Sequence, residues 1–335
     1  MSTGTNRFSF LDILDRTFRI YRENFSAIIG YVALIALPVT IINLLLSRSV
    51  MSGFTTFQTR SSSVNSGALL SSLLVAFLSL IEIVLTYSAV SYIASESYFG
   101  RKASIGEAFA ATRSSLGKLG CGFILFYIIL VGFAFVIVFI ASVCAPALIG
   151  LVLVAYIGIA TFGLLTPVLV LENVGTSTGI NRAYGLGRAR FWTLVIVLVA
   201  IYIISFILDV ALASVIQLLG IPVTNDPFSG GQLLSTFASA IIGILVTPLF
   251  PIAMTLMYYE TRTQVEGLDL ALATLDKPDA RPSDLESPRA PSFLNSRDLI
   301  NMLLLGVGGV ALSLVAGGLL LSIVNSLAPG LTLSR

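Results

Sequence analysis

Two carboxylates, Glu82 and Asp209, are the charged side chains that fall deep inside the long apolar stretches of this 335-residue sequence. An ionised acid at the centre of a bilayer costs roughly 3 kcal/mol to insert, so such a residue marks a site where polar chemistry is expected. Two carboxylates facing a polar cavity could pass a proton or hold a cation. Protonated, they could instead be structural, hydrogen-bonded to Tyr87, Tyr202, Ser205 or Gln217. No Lys or Arg lies at comparable depth to pair with either acid. The sequence contains no histidine, which excludes imidazole general-base catalysis, His-ligated metal or haem, and histidine pH sensing. It also lacks a Gly-rich phosphate loop and a G-x-S-x-G elbow. Cys121 and Cys144 have no zinc spacing and are expected near opposite ends of one helix, too far apart to bridge. No catalytic residue, cofactor, metal or nucleic-acid partner is expected, and the chain reads as a non-enzyme.

The elements that hold these acids are membrane spans. The mean hydropathy is +0.97, with 56% hydrophobic and 11% charged residues, whereas soluble domains carry about 25% charge. Apolar runs long enough to cross a hydrocarbon layer of roughly 30 Å occur at 26–46, 69–94, 121–143, 147–171, 193–219, 233–257 and 299–324. Seven spanning helices are expected. Only Cys144-Ala145-Pro146 offers a turn between the third and fourth runs, so six and eight are the alternatives. With the N-terminus cytoplasmic, 16 of the 19 Lys and Arg residues fall on the cytoplasmic side, against Arg48, Arg60 and Arg335 opposite. That asymmetry predicts a multi-pass cell-membrane protein with its N-terminus inside and its C-terminus outside.

A pattern then recurs three times without gaps, each time ahead of an apolar run. Thr17-Phe18-x-x-x-Arg22-x-x-Phe25-x-x-Ile28 aligns with Ala108-Phe109-x-x-x-Arg113-x-x-Leu116-x-x-Leu119 and with Ala183-Tyr184-x-x-x-Arg188-x-x-Phe191-x-x-Leu194. In the first copy Leu11, Leu14, Phe18, Tyr21 and Phe25 make one helical face apolar, and Asp12, Asp15, Arg16, Arg19, Arg22 and Glu23 fill the other. Ser9-x-x-Asp12 and Ser104-x-x-Glu107 are helix-start signals of the capping-box kind. Each copy therefore predicts an amphipathic helix at the cytoplasmic interface, its aromatics in the headgroup region and its arginine reaching for phosphates. Two spans follow each copy, so successive copies enter from the same side and are parallel repeats, at about 8–98, 99–172 and 173–260. Ordinary positive-inside anchoring would explain one copy, but three equivalent copies favour triplication. A second echo pairs Thr166-Pro167 with Thr247-Pro248, where proline kinks a helix and the adjacent threonine can satisfy freed backbone.

The opening segment Leu11-Asp12-Ile13-Leu14-Asp15-Arg16-Thr17-Phe18-Arg19-Ile20-Tyr21-Arg22-Glu23-Asn24-Phe25 resembles the start of the membrane domain of bacterial glycerophosphoryl diester phosphodiesterases and their stand-alone relatives. Tyr258-Tyr259-Glu260-Thr261-Arg262, followed by Glu266-Gly267-Leu268-Asp269, resembles that domain's exit. The likeness covers about 8–271 and implies a membrane module of the bacterial inner membrane. The family's activity resides in a separate soluble barrel that uses histidines and acidic metal ligands. With no histidine in this sequence, the resemblance carries over the membrane module alone.

Residues 272–298 are charged and carry Pro278, Pro282, Pro288 and Pro291, which predicts an extended cytoplasmic linker, with a short helix within 265–275 as an option. The seventh run lies outside the repeats. Its Gly309, Ser313 and Gly317 form a small-residue stripe for close helix packing, against this bundle or against a membrane-protein partner. The sequence thus predicts an all-α membrane protein: a triplicated domain over 1–271, a linker over 272–298, and a seventh helix with a short outer tail over 299–335. The expected function is a non-enzymatic module that organises membrane lipids or a membrane-protein partner. The alternative is a transporter or lipid-translocating protein that uses Glu82 and Asp209. A cavity touching both acids would favour the alternative, and a filled centre with lipid-facing grooves would favour the module.

Overall fold

The structure, a computed structural model, describes residues 10–58, 66–141, 149–172, 174–221, 226–274, 281–285, 295–309 and 311. These residues form helices without strands: α1 (Phe10–Glu23), α2 (Phe25–Gln58), α3 (Ser66–Tyr98), α4 (Ile105–Ala141), α5 (Gly150–Leu171), α6 (Thr176–Ala189), α7 (Phe191–Leu218), α8 (Gly230–Val246), α9 (Leu249–Glu266), α10 (Leu268–Ala273), and α11 over 296–309. Among the described residues six helical segments are long and apolar enough to span a membrane, α8 and α9 counting together as one. The seventh apolar run is described only at its start, as α11. Cys144-Ala145-Pro146 and the capping residue Ser9 lie outside the described residues.

The helix α1 has three faces where the sequence pattern suggested two. Ile13, Thr17 and Ile20 are buried on the bundle, and Asn24 closes that row. Leu11, Phe18 and Phe25 lie exposed on a neighbouring stripe, and the charged side chains fill the third. At about 100° per residue these rows are separate thirds of one helix, so one helix can dock on the bundle and still present an apolar stripe and a charged stripe outward. Asn24 ends α1 through its side chain, whose Nδ2 donates to the Ile20 carbonyl (3.1 Å) and to Ser97 Oγ (3.1 Å).

The third copy has the same break: Arg190, with φ −127° and ψ 41°, separates α6 from α7. The second copy differs, because its amphipathic segment and span form the single helix α4. Its junction carries Leu116 where the other copies carry Phe25 and Phe191, and leucine holds a helix better than phenylalanine. The start of α4 is a capping box as the sequence suggested: Glu107 N donates to Ser104 Oγ (3.3 Å) and Ser104 N to Glu107 Oε2 (2.8 Å).

The two proline echoes also diverge. Pro167 is accommodated inside α5, and the adjacent Thr166 hydroxyl is buried without a hydrogen-bond partner, so it does not repair the backbone as expected. Pro248 ends α8 and starts α9. The Tyr21 hydroxyl donates to the Leu245 carbonyl (2.8 Å), in the turn that Pro248 interrupts.

The helices α5 and α9 form the centre, with Tyr156, Leu164, Leu165, Ile252, Met254, Tyr258 and Tyr259 removed from solvent. The helix α6 crosses α5 at Gly187, where an added Cβ would fall 1.9 Å from the Ala160 carbonyl oxygen. Only glycine admits that approach. Past α9, Gly267 adopts the left-handed conformation (φ 64°), its N–H bonding back to the last turn as a helix C-cap.

The tail departs from the extended linker expected over 272–298. In its described parts Pro282 is buried, Leu285 packs on the core, and the Arg281 guanidinium pairs with Glu96 at 3.1 Å. Docked on the bundle, α11 places Met302 and Leu305 against the small core of Tyr156, Ala160, Tyr184 and Phe191. Of the proposed small-residue stripe, Ser313 and Gly317 lie outside the described residues, and Gly309 has nothing within 4 Å of its Cβ position. Of the α11 glycines, Gly306 comes nearest another helix, where an added Cβ would fall 3.4 Å from Val152.

Candidate functional site

Two polar regions stand out. The first is a buried charge network where α5, α6 and α9 meet. Glu172, next after the end of α5, accepts from Arg182 Nε (3.1 Å) and from the Tyr258 hydroxyl (2.9 Å). That hydroxyl in turn accepts from Arg262 NH1 (2.8 Å), and Arg262 Nε donates to Glu266 Oε2 (2.9 Å). Arg182 closes the ring by a two-pronged pair with Glu266. Two guanidinium groups thus balance two carboxylates, with side-chain exposures of 5% and 3% against 1% and 12%. Burial works against the charge on Arg182, but Glu266 and Glu172 outweigh it and hold the guanidinium above its ordinary value, so it stays cationic.

Around this ring lie further pairs: Arg101 with Glu96 (2.6 Å), Arg190 with Glu260 (3.5 Å), and the Ser95 and Tyr259 hydroxyls at 2.7 Å. These pairs join the helix ends, and a cavity of about 230 Å³ borders them, lined by Tyr92, Ser95, Glu96, Lys118, Glu172 and Arg281 among others. Sequence reasoning missed Glu172 and Arg182 as partners. The available signal was a glutamate directly after an apolar run, ten residues ahead of an arginine on an amphipathic helix.

The repeat residues share half of their environment. The small residues Thr17, Ala108 and Ala183 and the aliphatic residues Ile28, Leu119 and Leu194 are buried in all three copies. The aromatic and basic residues are not equivalent. Phe18, Phe25 and Phe109 are 41%, 44% and 54% exposed, Arg22 and Arg113 are exposed, and Leu116 is half-buried. In the third copy Tyr184 and Phe191 are buried, and the Arg188 guanidinium stacks over the Tyr184 ring at 5.5 Å. The cover is α11: Asp298 accepts from the Tyr156 hydroxyl (2.6 Å) and from Arg188 (3.2 Å), and Asn301 accepts from Trp192 Nε1 (3.0 Å).

The second region surrounds Asp209. A cavity of about 610 Å³ opens between α7 and α8, lined by Leu198, Ile201, Tyr202, Ser205 and Asp209 of α7, Ser239, Ile242, Gly243, Val246 and Thr247 along α8 and its break, and Tyr87 and Phe250. It unites Asp209 with three of the polar residues the sequence suggested for it, Tyr87, Tyr202 and Ser205, but not with Gln217. Glu82 is not in its lining, so the two acids do not share one cavity. Half-buried on α3, Glu82 is within electrostatic reach of Tyr87. Among the described residues neither acid makes a side-chain hydrogen bond or an ion pair, and no group of His, Cys, Asp and Glu is arranged to hold a metal.

A further cavity, of about 330 Å³, is almost wholly apolar. Phe126, Leu130, Phe133, Val154 and Ile157 line it, with Asn181 and Tyr184 at one end. Cys121 is an exposed free thiol on α4. No family model, curated protein or solved structure matches this chain.

Proposed function

We propose that this chain is a non-enzymatic membrane module that organises lipid, built from three parallel copies of an interfacial helix followed by two spans. The observation that carries the reading is the inequality of the three aromatic-arginine clusters. Phe18, Arg22 and Phe25, and likewise Phe109 and Arg113, face outward on helices whose opposite faces are buried, while the third cluster is occupied by the chain's own α11. Aromatic rings beside an exposed guanidinium suit the boundary between acyl chains and phosphates. The apolar groove between α4 and α5 suits an acyl chain, and the packed centre around Tyr258 and Tyr259 suits a scaffold better than a conduit. Separation of Glu82 from the Asp209 cavity weighs against a transport path that needs both acids.

In this reading the charge network lies on the cytoplasmic side, as the Lys and Arg distribution suggests, and the likeness to the phosphodiesterase membrane domain concerns the module alone. The reading as a non-enzyme rests on the missing histidine and catalytic motifs. The packing of Met302 and Leu305 against this bundle makes lipid, and not a second protein at α11, the preferred partner.

The test is lipid retention after extraction in native-membrane nanodiscs, with lipids quantified by mass spectrometry. The combined variant Phe18→Ser, Arg22→Gln, Phe109→Ser, Arg113→Gln is expected to lose anionic phospholipid while eluting as wild type. An unchanged lipid complement in that variant would overturn the proposal, as would coupled solute uptake by wild-type proteoliposomes that Glu82→Gln abolishes.

A further inference from the structure

We propose that the cavity between α7 and α8 is a binding site for a membrane-borne amphiphile with an ammonium head, its charge held at Asp209 and its apolar body lying along α7 toward Tyr87 and Phe250. The proposal rests on the chain being embedded in a bilayer, and it is independent of what the interfacial aromatics bind.

Charge comes first. Asp209 is the one ionisable acid in the lining, no lining residue is basic, and among the described residues nothing pairs with it. Asp209 is itself exposed, so its carboxylate is open to the cavity mouth, and a cation there gains a counter-charge that the chain does not supply.

Ser205 and the two tyrosines share this preference. Ser205 spends its proton on the Ile201 carbonyl (3.1 Å), so toward the cavity it offers an acceptor oxygen, one turn from Asp209. Tyr87 and Tyr202 bring aromatic rings, whose faces attract ammonium groups. An anion would meet the carboxylate and these acceptors and be repelled.

Size and shape narrow the class. About 610 Å³ is far more than a bare metal ion fills and is in the range of organic ligand sites. From Asp209 to Leu198 the α7 face runs about 16 Å at 1.5 Å per residue, room for a single alkyl chain to lie along it. The polar end is Asp209, and the wall toward the other end is Leu198, Ile201, Val246 and Phe250. Asp209 itself lies about 27 Å along α7 from Phe191, toward the bundle end away from the charge network. Tyr202, 70% exposed, stands at the open side, which gives entry from the surrounding lipid.

The probe is radiolabelled dodecyltrimethylammonium, equilibrated with the full chain in dodecyl maltoside micelles and corrected for uptake by empty micelles. Wild type is expected to bind it saturably at one site. Asp209→Asn removes a charge-assisted contact of roughly 1.5–3 kcal/mol and is expected to weaken binding about ten- to a hundredfold. Asp209→Glu keeps the charge and is expected to retain binding, which guards against a folding defect in the neutral variant. Glu82→Gln is expected to bind as wild type.

Dodecanol, with the same chain and no charge, is expected to compete poorly, and so is tetramethylammonium, with the charge and no chain. Equal binding by Asp209→Asn and wild type would overturn the proposal. Efficient displacement by tetramethylammonium would overturn it as well, because the site would then serve a free amine. Loss of phospholipid retention in the interfacial variant with this binding intact would refute only the lipid-organising function; the reverse pattern would refute only the site at Asp209.

Discussion

Replacing Arg182 by Met tests whether the buried charge ring is what joins the three helix ends. The substitution keeps most of the side-chain volume and deletes the guanidinium. Glu172 at 1% side-chain exposure and Glu266 at 12% are then left with Arg262 alone. The ring changes from neutral to one uncompensated negative charge in a largely buried site. Arg182 donates to both carboxylates, but adding a full hydrogen-bond energy for each contact would overcount, because Arg262 still serves both acids. Removal of one partner from a buried pair costs about 3–5 kcal/mol, a large share of a total stability of about 5–15 kcal/mol.

The second arm is Glu172→Gln in the Arg182→Met background. It restores neutrality and retains an amide that can accept from Tyr258 or Arg262. The double variant is therefore expected to be more stable than Arg182→Met alone, with a coupling energy of about 1–3 kcal/mol. Reversible unfolding in mixed micelles, followed by the fluorescence of Trp192, the single tryptophan, supplies the free energies. Two strictly additive effects, or a loss under about 1 kcal/mol in Arg182→Met, would refute the reasoning, because neither is compatible with two desolvated carboxylates sharing this cation.

Glycine positions give a paired test of helix packing. Gly187→Ala is expected to destabilise the protein by about 1–3 kcal/mol or more, since its Cβ meets the Ala160 backbone. Gly117→Ala on α4, with nothing within 4 Å, is expected to be neutral or stabilising by up to about 1 kcal/mol in the same assay. Asp298→Ala removes the acceptor of Tyr156 and Arg188, so α11 is expected to detach and Trp192 to lose its bond to Asn301. A red-shifted Trp192 emission would report that, and an unchanged spectrum would contradict it. The cap at the start of α4 carries a pH dependence: hydrogen bonds from the Ser104 N–H and hydroxyl hold the Glu107 carboxyl below its usual range. A depressed folded-state value means the contribution is present at neutral pH and is lost as pH falls through the carboxylate range. The protection factors of the amides at Gly106 to Ala108 are expected to fall there, and Glu107→Gln is expected to remove that pH dependence.

What was legible in the sequence follows from local rules. An apolar run of about 20 residues must be helical in a bilayer, because no other local structure satisfies its backbone, so α2, α3, α4, α5 and α7 are readable from hydropathy. The capping box at Ser104 and Glu107 is equally local, a matter of three-residue spacing. The sequence pattern also singles out Asp209, with Tyr87, Tyr202 and Ser205 as candidate neighbours, since polar residues within apolar runs have few others to meet.

Tertiary structure decided what depends on which helix lies beside which. Periodicity on α1 marks Leu11, Phe18 and Phe25 as apolar, but that face stays exposed, because α9 and α3 accept the smaller Ile13, Thr17 and Ile20 row. Three sequence-equivalent clusters become two open and one covered, since α11 folds back on Tyr184 and Phe191 from more than a hundred residues along the chain. Glu172, Arg182 and Glu266 look like border charges in sequence and become a mutually paired, largely buried ring, because charge balance across α5, α6 and α9 is a property of their packing. The sequence alone thus determined a bundle of apolar helices with an acid along two of its apolar runs. The packing of those helices decided that Glu82 and Asp209 stand apart, because each acid's surroundings are set by neighbouring helices and not by its own.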